Sequence, residues 1–235
     1  APIRSRPEEA VPSHRLCELL RTLGTDAANR VVICSGRDSG TLEKWFGGLP
    51  VSLAAEHGAF YKDRGAWRCN IRPASWDPKL SALLEHFARK TPRSRIERKQ
   101  TALAWHYREA DSWLGQLRAQ QLVNALMPLC ARLNLHILQG DKVVEIKSPR
   151  FTKGSETLRL LRQERYDFIL ALGDDTTDDD MFAALPPRAL SIKIGNASEH
   201  ARYNMPEQSE VVPLLELLAR DRGSFDPAGV KHAIR

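Results

Sequence analysis

FILALGDDTTDDDMF, residues 168 to 182, runs from six apolar or small residues into a segment with five aspartates in seven positions, Asp174, Asp175, Asp178, Asp179 and Asp180. Two carboxylates ~4 Å apart repel by ~1 kcal/mol in water and ~4 kcal/mol at a protein-like dielectric, so a cation or a helix N-terminus has to offset them. Asp178, Asp179 and Asp180 are explained by capping and charging the first turn of a helix through Met181, Phe182 and Leu185. Asp174 and Asp175 are not, because they follow the buried-looking run directly. In open α/β sheets ligands collect at the carboxyl ends of parallel strands, and hard oxygen ligands there point to magnesium. The spacing lacks the Asp-x-Asp-x-Asp-Gly pattern of a calcium loop.

Working outward, strand and helix alternate on both sides of this stretch. Ser13 is placed to cap a helix with Leu16, Leu19, Leu20 and Leu23 on one face, followed by the strand Val31-Val32-Ile33-Cys34. After SGRDSG come a helix near Leu42 to Phe46 and a strand and turn in LPVSLAAEHGAF. Late in the chain, strand 167 to 173, helix 178 to 185, strand Leu190 to Ile194 and helix Glu210 to Ala219 repeat the pattern. Alternation of this kind predicts a parallel sheet in an α/β, doubly wound core.

The middle has another rhythm. A helix from about Pro78 to Arg89, short runs at IERKQ and ALAWHYR, a helix from about Gly115 to Leu133 and the hairpin LHILQGDKVVEIKS predict a small α+β domain. The hairpin turn is read at Gly140-Asp141. The division is therefore a core of residues 1–76 and 151–235 with an inserted cap of residues 77–150.

The 235 residues, 42% hydrophobic, are enough to bury a sizeable core. No run approaches the ~18 apolar residues of a membrane span, and APIRSRPEEAVPS has no apolar signal-peptide core. Cys17, Cys34, Cys69 and Cys130 have neither metal-ligand spacing nor a paired framework, which points to reduced thiols and a cytoplasmic location. The net charge of +6 comes from Lys and Arg interleaved with Glu and Asp, a distribution that suits small anionic substrates and not nucleic acid. The tail DRGSFDPAGVKHAIR reads as weakly ordered.

Two more elements complete a candidate phosphoryl-transfer site. Ser35 and Gly36 follow the strand VVIC, where a hydroxyl and neighbouring amides can hold phosphate oxygens. Lys153-Gly154 precedes the helix Glu156 to Arg165, placing an ammonium at the same rim. Taken singly, each is also explained as an ordinary turn or a solvated lysine.

In this order VVICSGRD, FTKGSE and LALGDDTTDDDMF resemble the haloacid dehalogenase superfamily of magnesium-dependent phosphatases. AAEHGAF, IERKQTALAWHYREAD and VVEIKSPRFTKG are similar to the trehalose-6-phosphate phosphatase family, especially to phosphatase domains fused behind a trehalose-6-phosphate synthase. The resemblance implies a Rossmann-like core with an α+β cap, Mg2+ as cofactor, trehalose 6-phosphate as substrate and a fused or associated synthase as partner. It makes Ser35 a phosphoryl-oxygen donor, Lys153 the charge-neutralising lysine, Asp174 a metal ligand and Asp178 the acid supporting the metal shell or Lys153. Glu97, Lys99, His106 and Arg108 match a stretch that grips the sugar phosphate, Glu145 a carboxylate suited to glucose hydroxyls, and His57 would line the same site. Alternation places Ala104, His106 and Arg108 on one strand face and Leu103, Trp105 and Tyr107 on the other.

One departure is large. The family's nucleophile motif, Asp-x-Asp-Gly-Thr, does not occur in the 235 residues. The nucleophile and the general acid are expected upstream of Ala1, on a strand between those carrying Ser35 and Asp174, so that this chain alone is expected to be inactive. A non-catalytic domain that binds sugar phosphate or supports a synthase, and a phosphatase for sucrose phosphate or another sugar phosphate, are the other readings. Loss of about five buried apolar side chains forfeits roughly 1.5–3 kcal/mol each, against a domain's ~5–15 kcal/mol. Residues 1–235 alone are thus expected to melt without a sharp transition in calorimetry, and a cooperative, stable transition would contradict this.

Overall fold

The computed structural model describes residues 11–63, 65–69 and 76–220. The opening segment before Val11 and the tail 221–235, which the sequence reads as weakly ordered, lie outside the described residues. The chain divides into two compact units, one made of residues 1–68 with 152–235 and the other of residues 69–151.

The first unit carries the parallel strands. Helix α1 (His14–Thr25) begins at Ser13, whose side chain accepts from the Leu16 amide. Strand β1 (Val32–Cys34) pairs parallel with β2 (Ser52–Ala55) across α2 (Ser39–Phe46), and β3 (Phe60–Lys62) and β4 (Arg68–Cys69) extend this sheet, β3 antiparallel to β2. After α5 (Lys153–Gln163), a second sheet is wholly parallel, in the order β11 (Tyr203–Met205), β10 (Leu190–Ile194), β9 (Leu170–Gly173). Helices α6 (Asp178–Ala184) and α7 (Val211–Arg220) complete the unit, a Rossmann-like α/β core. Every residue of β10 is buried: Leu190, Ile192 and Ile194 pack with Leu214 of α7, so the intervening Ser191 and Lys193 face the other side. The strand thus alternates an apolar face packed under α7 with a face that carries Ser191 and Lys193. Among the described residues, β1 and β9 are outer strands of their sheets, and most of their residues are only half-buried.

Strand β9 starts at Leu170, three residues later than the 167 to 173 read from the sequence. Strand β11 was not foreseen, because Tyr203-Asn204-Met205 is too short for a period to show before Pro206 ends it.

The second unit is an antiparallel sheet, ordered β5 (Arg95–Arg98), β6 (Ala102–His106), β8 (Val143–Lys147), β7 (His136–Gly140), with α3 (Pro78–Lys90) and α4 (Ser112–Leu133) on one face. Leu103, Trp105, Val144 and Ile146 point toward Leu80, Leu84, Leu122 and Leu126, all essentially solvent-free. Trp105 also donates its indole N–H to Ser94 Oγ at 3.1 Å and stacks on Tyr107 with centroids 4.9 Å apart. The hairpin turn is Asp141-Lys142, one residue later than the Gly140-Asp141 expected. Gly140 stays paired with Val143, and Lys142 takes the left-handed conformation at φ 60°.

Among the described residues no helix is long and apolar enough to cross a membrane. Trp105→Ala, which empties the centre of the second unit's core, is expected to lower stability by about 3–5 kcal/mol, measured by urea unfolding with fluorescence and circular dichroism.

Candidate active site

Three chain segments of the first unit bring the predicted residues to strand ends and a helix start. Ser35 follows β1, Lys153 is the first residue of α5, and Asp174 follows β9. Thr152 caps α5 by accepting from the Ser155 amide at 3.0 Å, while Ser155 Oγ accepts from the Thr152 amide, which fixes where Lys153 leaves the helix.

Lys153 Nζ lies 2.7 Å from Asp178 Oδ1, and both side chains are more than nine-tenths buried. The other Asp178 oxygen accepts from the Asp175 amide at 2.8 Å. Burial works against the ammonium, but the adjacent Asp178 charge and hydrogen bond, with Cys34 and Asp175 behind them, raise the Lys153 pKa above its ordinary value.

Two glycines make room for this pair. A Cβ on Gly173 would fall 2.3 Å from Asp178 Cγ, and one on Gly154 would fall 2.5 Å from the Asp180 carbonyl oxygen. Only glycine lets the carboxylate fold under the end of β9 while α5 closes on α6.

The remaining aspartates divide the work of the loop. Asp175 accepts from the Thr176 amide at 2.7 Å and from the Thr177 hydroxyl at 3.2 Å. Asp179 accepts from Ser198 Oγ at 2.7 Å and from Lys193 Nζ at 3.2 Å; burial opposes its charge, but these bonds hold its pKa below the ordinary carboxylate value. Asp174 is exposed, and among the described residues its carboxylate takes no hydrogen bond. Lys193 was missed by sequence reasoning. A lysine breaking the apolar run Leu190-Ser-Ile-Lys-Ile was the available signal, and its register opposite Gly173 brings it to the acidic loop.

The loop after β1 is tied to the turn after β2. Ser35 donates its amide to Ala54 O, and its carbonyl accepts from the His57 amide, both at 2.9 Å; Ser35 Oγ accepts from the Arg37 amide at 3.2 Å. Glu56 and His57 are buried and both have positive φ, 46° and 61°, a strained pair of non-glycine residues next to a strand end. The His57 ring packs against Gly36.

In the second unit, the sheet face opposite the helices carries Glu97, Ala104 and Glu145 in one cross-strand row. His106 Nε2 is 2.7 Å from Glu97 Oε2, and Lys99 Nζ is 2.8 Å from Glu145 Oε2. Burial pushes the Glu97 pKa up, but His106 and Lys99 prevail and leave it below the ordinary glutamate value. Arg108 lies beyond the end of β6, so strand alternation does not govern it; it donates to Asp141 O and Oδ2 at the hairpin turn, both at 2.8 Å.

A Rossmann-like core with a serine after one parallel strand, an acidic loop after another and a lysine at an intervening helix start is a haloacid-dehalogenase-like fold. The trehalose-phosphatase family profile matches residues 1–210, and the chain belongs to that family. It is 36% identical to a trehalose-phosphatase of Zygosaccharomyces rouxii over 97% of this chain and 30% of that protein. It is 37% identical to a bifunctional trehalose-6-phosphate synthase/phosphatase of Thermoproteus tenax over 90% of this chain and 29% of that one. The C-terminal domain of a trehalose-6-phosphate phosphatase from C. albicans superposes with a TM-score of 0.86 at 34% identity, covering 93% of this chain and 88% of that one. The chain thus spans less than a third of the length of these curated relatives.

Gly173→Ala is expected to force Asp178 out of its place and cost about 1–3 kcal/mol by overpacking, read as a lowered urea midpoint; an unchanged midpoint would contradict this packing.

Proposed function

We propose that this chain is the phosphatase domain of a trehalose-6-phosphate phosphatase, releasing trehalose and inorganic phosphate in trehalose biosynthesis. The observation that carries the reading is the buried Lys153–Asp178 pair beneath an exposed, uncommitted Asp174. Family membership and the likeness to relatives that bear this activity in their names support the same choice.

The residues fit a hydrated magnesium ion. Mg2+ keeps several waters and takes one or two carboxylates. Asp174 offers one, and among the described residues no group of three or more His, Cys, Asp or Glu would hold a metal unaided. Asp174 would hold the ion, which when bound supplies positive charge against the phosphoryl oxygens. Lys153 neutralises the same oxygens and is itself oriented by Asp178. Ser35 donates its hydroxyl to a phosphoryl oxygen.

The covalent step would use the first aspartate of an Asp-x-Asp-Gly-Thr motif, which does not occur in these 235 residues. Its carboxylate oxygen bonds to phosphorus as the bond from phosphorus to the sugar oxygen breaks, and a second aspartate gives that oxygen its proton. The second aspartate then takes a proton from water, which attacks the aspartyl-phosphate and frees phosphate. A strand set between β1 and β9 would deliver both aspartates beside Ser35 and Asp174, and the half-buried outer positions of these two strands support that placement.

In the residue 77–150 cap, Glu97, Lys99, His106, Arg108 and Glu145 would recognise the sugar phosphate; His57 of the core is itself proposed as a substrate-binding residue. A synthase domain, fused or associated, is the proposed partner. A reducing, cytoplasmic setting agrees with four cysteines that form no disulfide.

The test is phosphate release from trehalose 6-phosphate by the full-length protein. Release is expected to require Mg2+, to stop with a chelator and in Asp174→Asn, and to fall by roughly 10²–10³ in Lys153→Met. Release indifferent to the chelator and to both substitutions would overturn the proposal. Sugar-phosphate binding without release would make this a non-catalytic sensing or scaffolding domain.

A further inference from the structure

Lys193 lies in the middle of the second sheet and in no part of the motifs that led to the site. Its side chain is buried on the β10 face opposite Leu190, Ile192 and Ile194. Its strand partner on β9 is Gly173, the last residue before Asp174. The ammonium donates to the Asp175 backbone oxygen and, at 3.2 Å, to Asp179 Oδ1, which Ser198 Oγ also reaches at 2.7 Å. Burying a lysine is costly unless its charge is met, and here two oxygens of the acidic loop meet it.

The geometry points to Lys193 as the positioning residue for Asp174. The acidic loop is held at two places. Lys153 holds Asp178 from the α5 side, and Lys193 holds the Asp175 carbonyl and the start of α6 from the β10 side. Asp174 lies between Gly173, fixed by the β9–β10 ladder, and Asp175, fixed by Lys193. With both neighbours pinned, the carboxylate is left exposed in one place without a bond of its own. Lys193 touches neither phosphate nor metal and acts through the loop backbone. This rests on the proposed role of Asp174 as a metal ligand.

The positioning role and a simple counter-charge role predict opposite signs. If Lys193 only offsets negative charge, removing it leaves a more negative loop that binds a divalent cation more tightly. If it positions Asp174, removing it loosens the loop and binding weakens.

The experiment measures Mn2+ binding to the full-length protein by electron paramagnetic resonance, alongside the Mg2+ dependence of phosphate release. Lys193→Met is expected to weaken Mn2+ about tenfold or more, the loss typical when a group orienting a metal ligand is removed. The half-saturating Mg2+ concentration should rise by the same factor, with kcat at saturating metal nearly retained, and Lys193→Arg should recover most of the affinity. Ser198→Ala changes no charge and removes one of the two partners of Asp179; it is expected to weaken Mn2+ about threefold, and it decides the matter if Lys193→Met does not fold. Unchanged or tighter Mn2+ binding in both variants would overturn the inference, as would a wild-type protein that binds no Mn2+. A wild-type protein that binds Mn2+ but releases no phosphate refutes the phosphatase reading alone, and the Mn2+ comparison still decides the role of Lys193.

Discussion

The buried contact between Lys153 and Asp178 is the constraint around which the first unit is arranged. An ion pair taken out of water survives only if the remaining lone pairs and protons are also satisfied. Asp178 meets that condition by accepting the Asp175 amide with its second oxygen. The rest follows from bringing two charges together at this depth. Gly154 lets α5 approach the Asp180 carbonyl, Gly173 gives the carboxylate its space, and the Thr152–Ser155 capping box sets the direction in which Lys153 departs.

Similar contacts explain how Asp175, Asp178 and Asp179 can share so short a loop. Two buried lysines, Lys153 and Lys193, engage Asp178 and Asp179, and threonine donors engage Asp175. Asp174 and Asp180 are both exposed without a hydrogen bond of their carboxylates among the described residues; Asp180 lies within α6, whereas Asp174 directly follows β9. An acidic loop organised in this way has the charges of Asp175, Asp178 and Asp179 met internally and leaves Asp174, at the strand end, open to a hard cation. The strained Glu56-His57 turn, bonded to the Ser35 carbonyl, shows the same logic at the β1 end, where backbone strain is tolerated because β2 and the loop over-determine it.

Much of this architecture is legible in the chain itself. The α/β class follows from apolar runs of strand length alternating with helical periods, and Gly-Asp-Asp after such a run marks a strand end. What escapes local reading depends on register between segments distant in sequence. Nothing near Lys193 announces that β10 pairs with β9 so that it faces Gly173; from sequence it is a lysine interrupting an apolar strand. Strand β11 is three residues long and shows no period, and the hairpin turn shifts by one because Gly140 remains paired and Lys142 adopts the left-handed conformation. Arg108 looks like a continuation of the Ala104–His106 face, but β6 has ended and Asp141 draws the guanidinium to the turn. The cross-strand row of Glu97, Ala104 and Glu145 likewise follows from pairing and not from spacing along the chain.

The most direct test of the central interaction is a double-mutant cycle on the full-length protein, with unfolding free energies for wild type, Lys153→Met, Asp178→Asn and the pair combined. Each single change strands a buried partner, so the account predicts that Lys153→Met alone costs about 3–5 kcal/mol and that the double variant loses much less than the sum of the two singles. Additive losses would mean that the two side chains contribute independently, and would contradict the view that this pair organises the site.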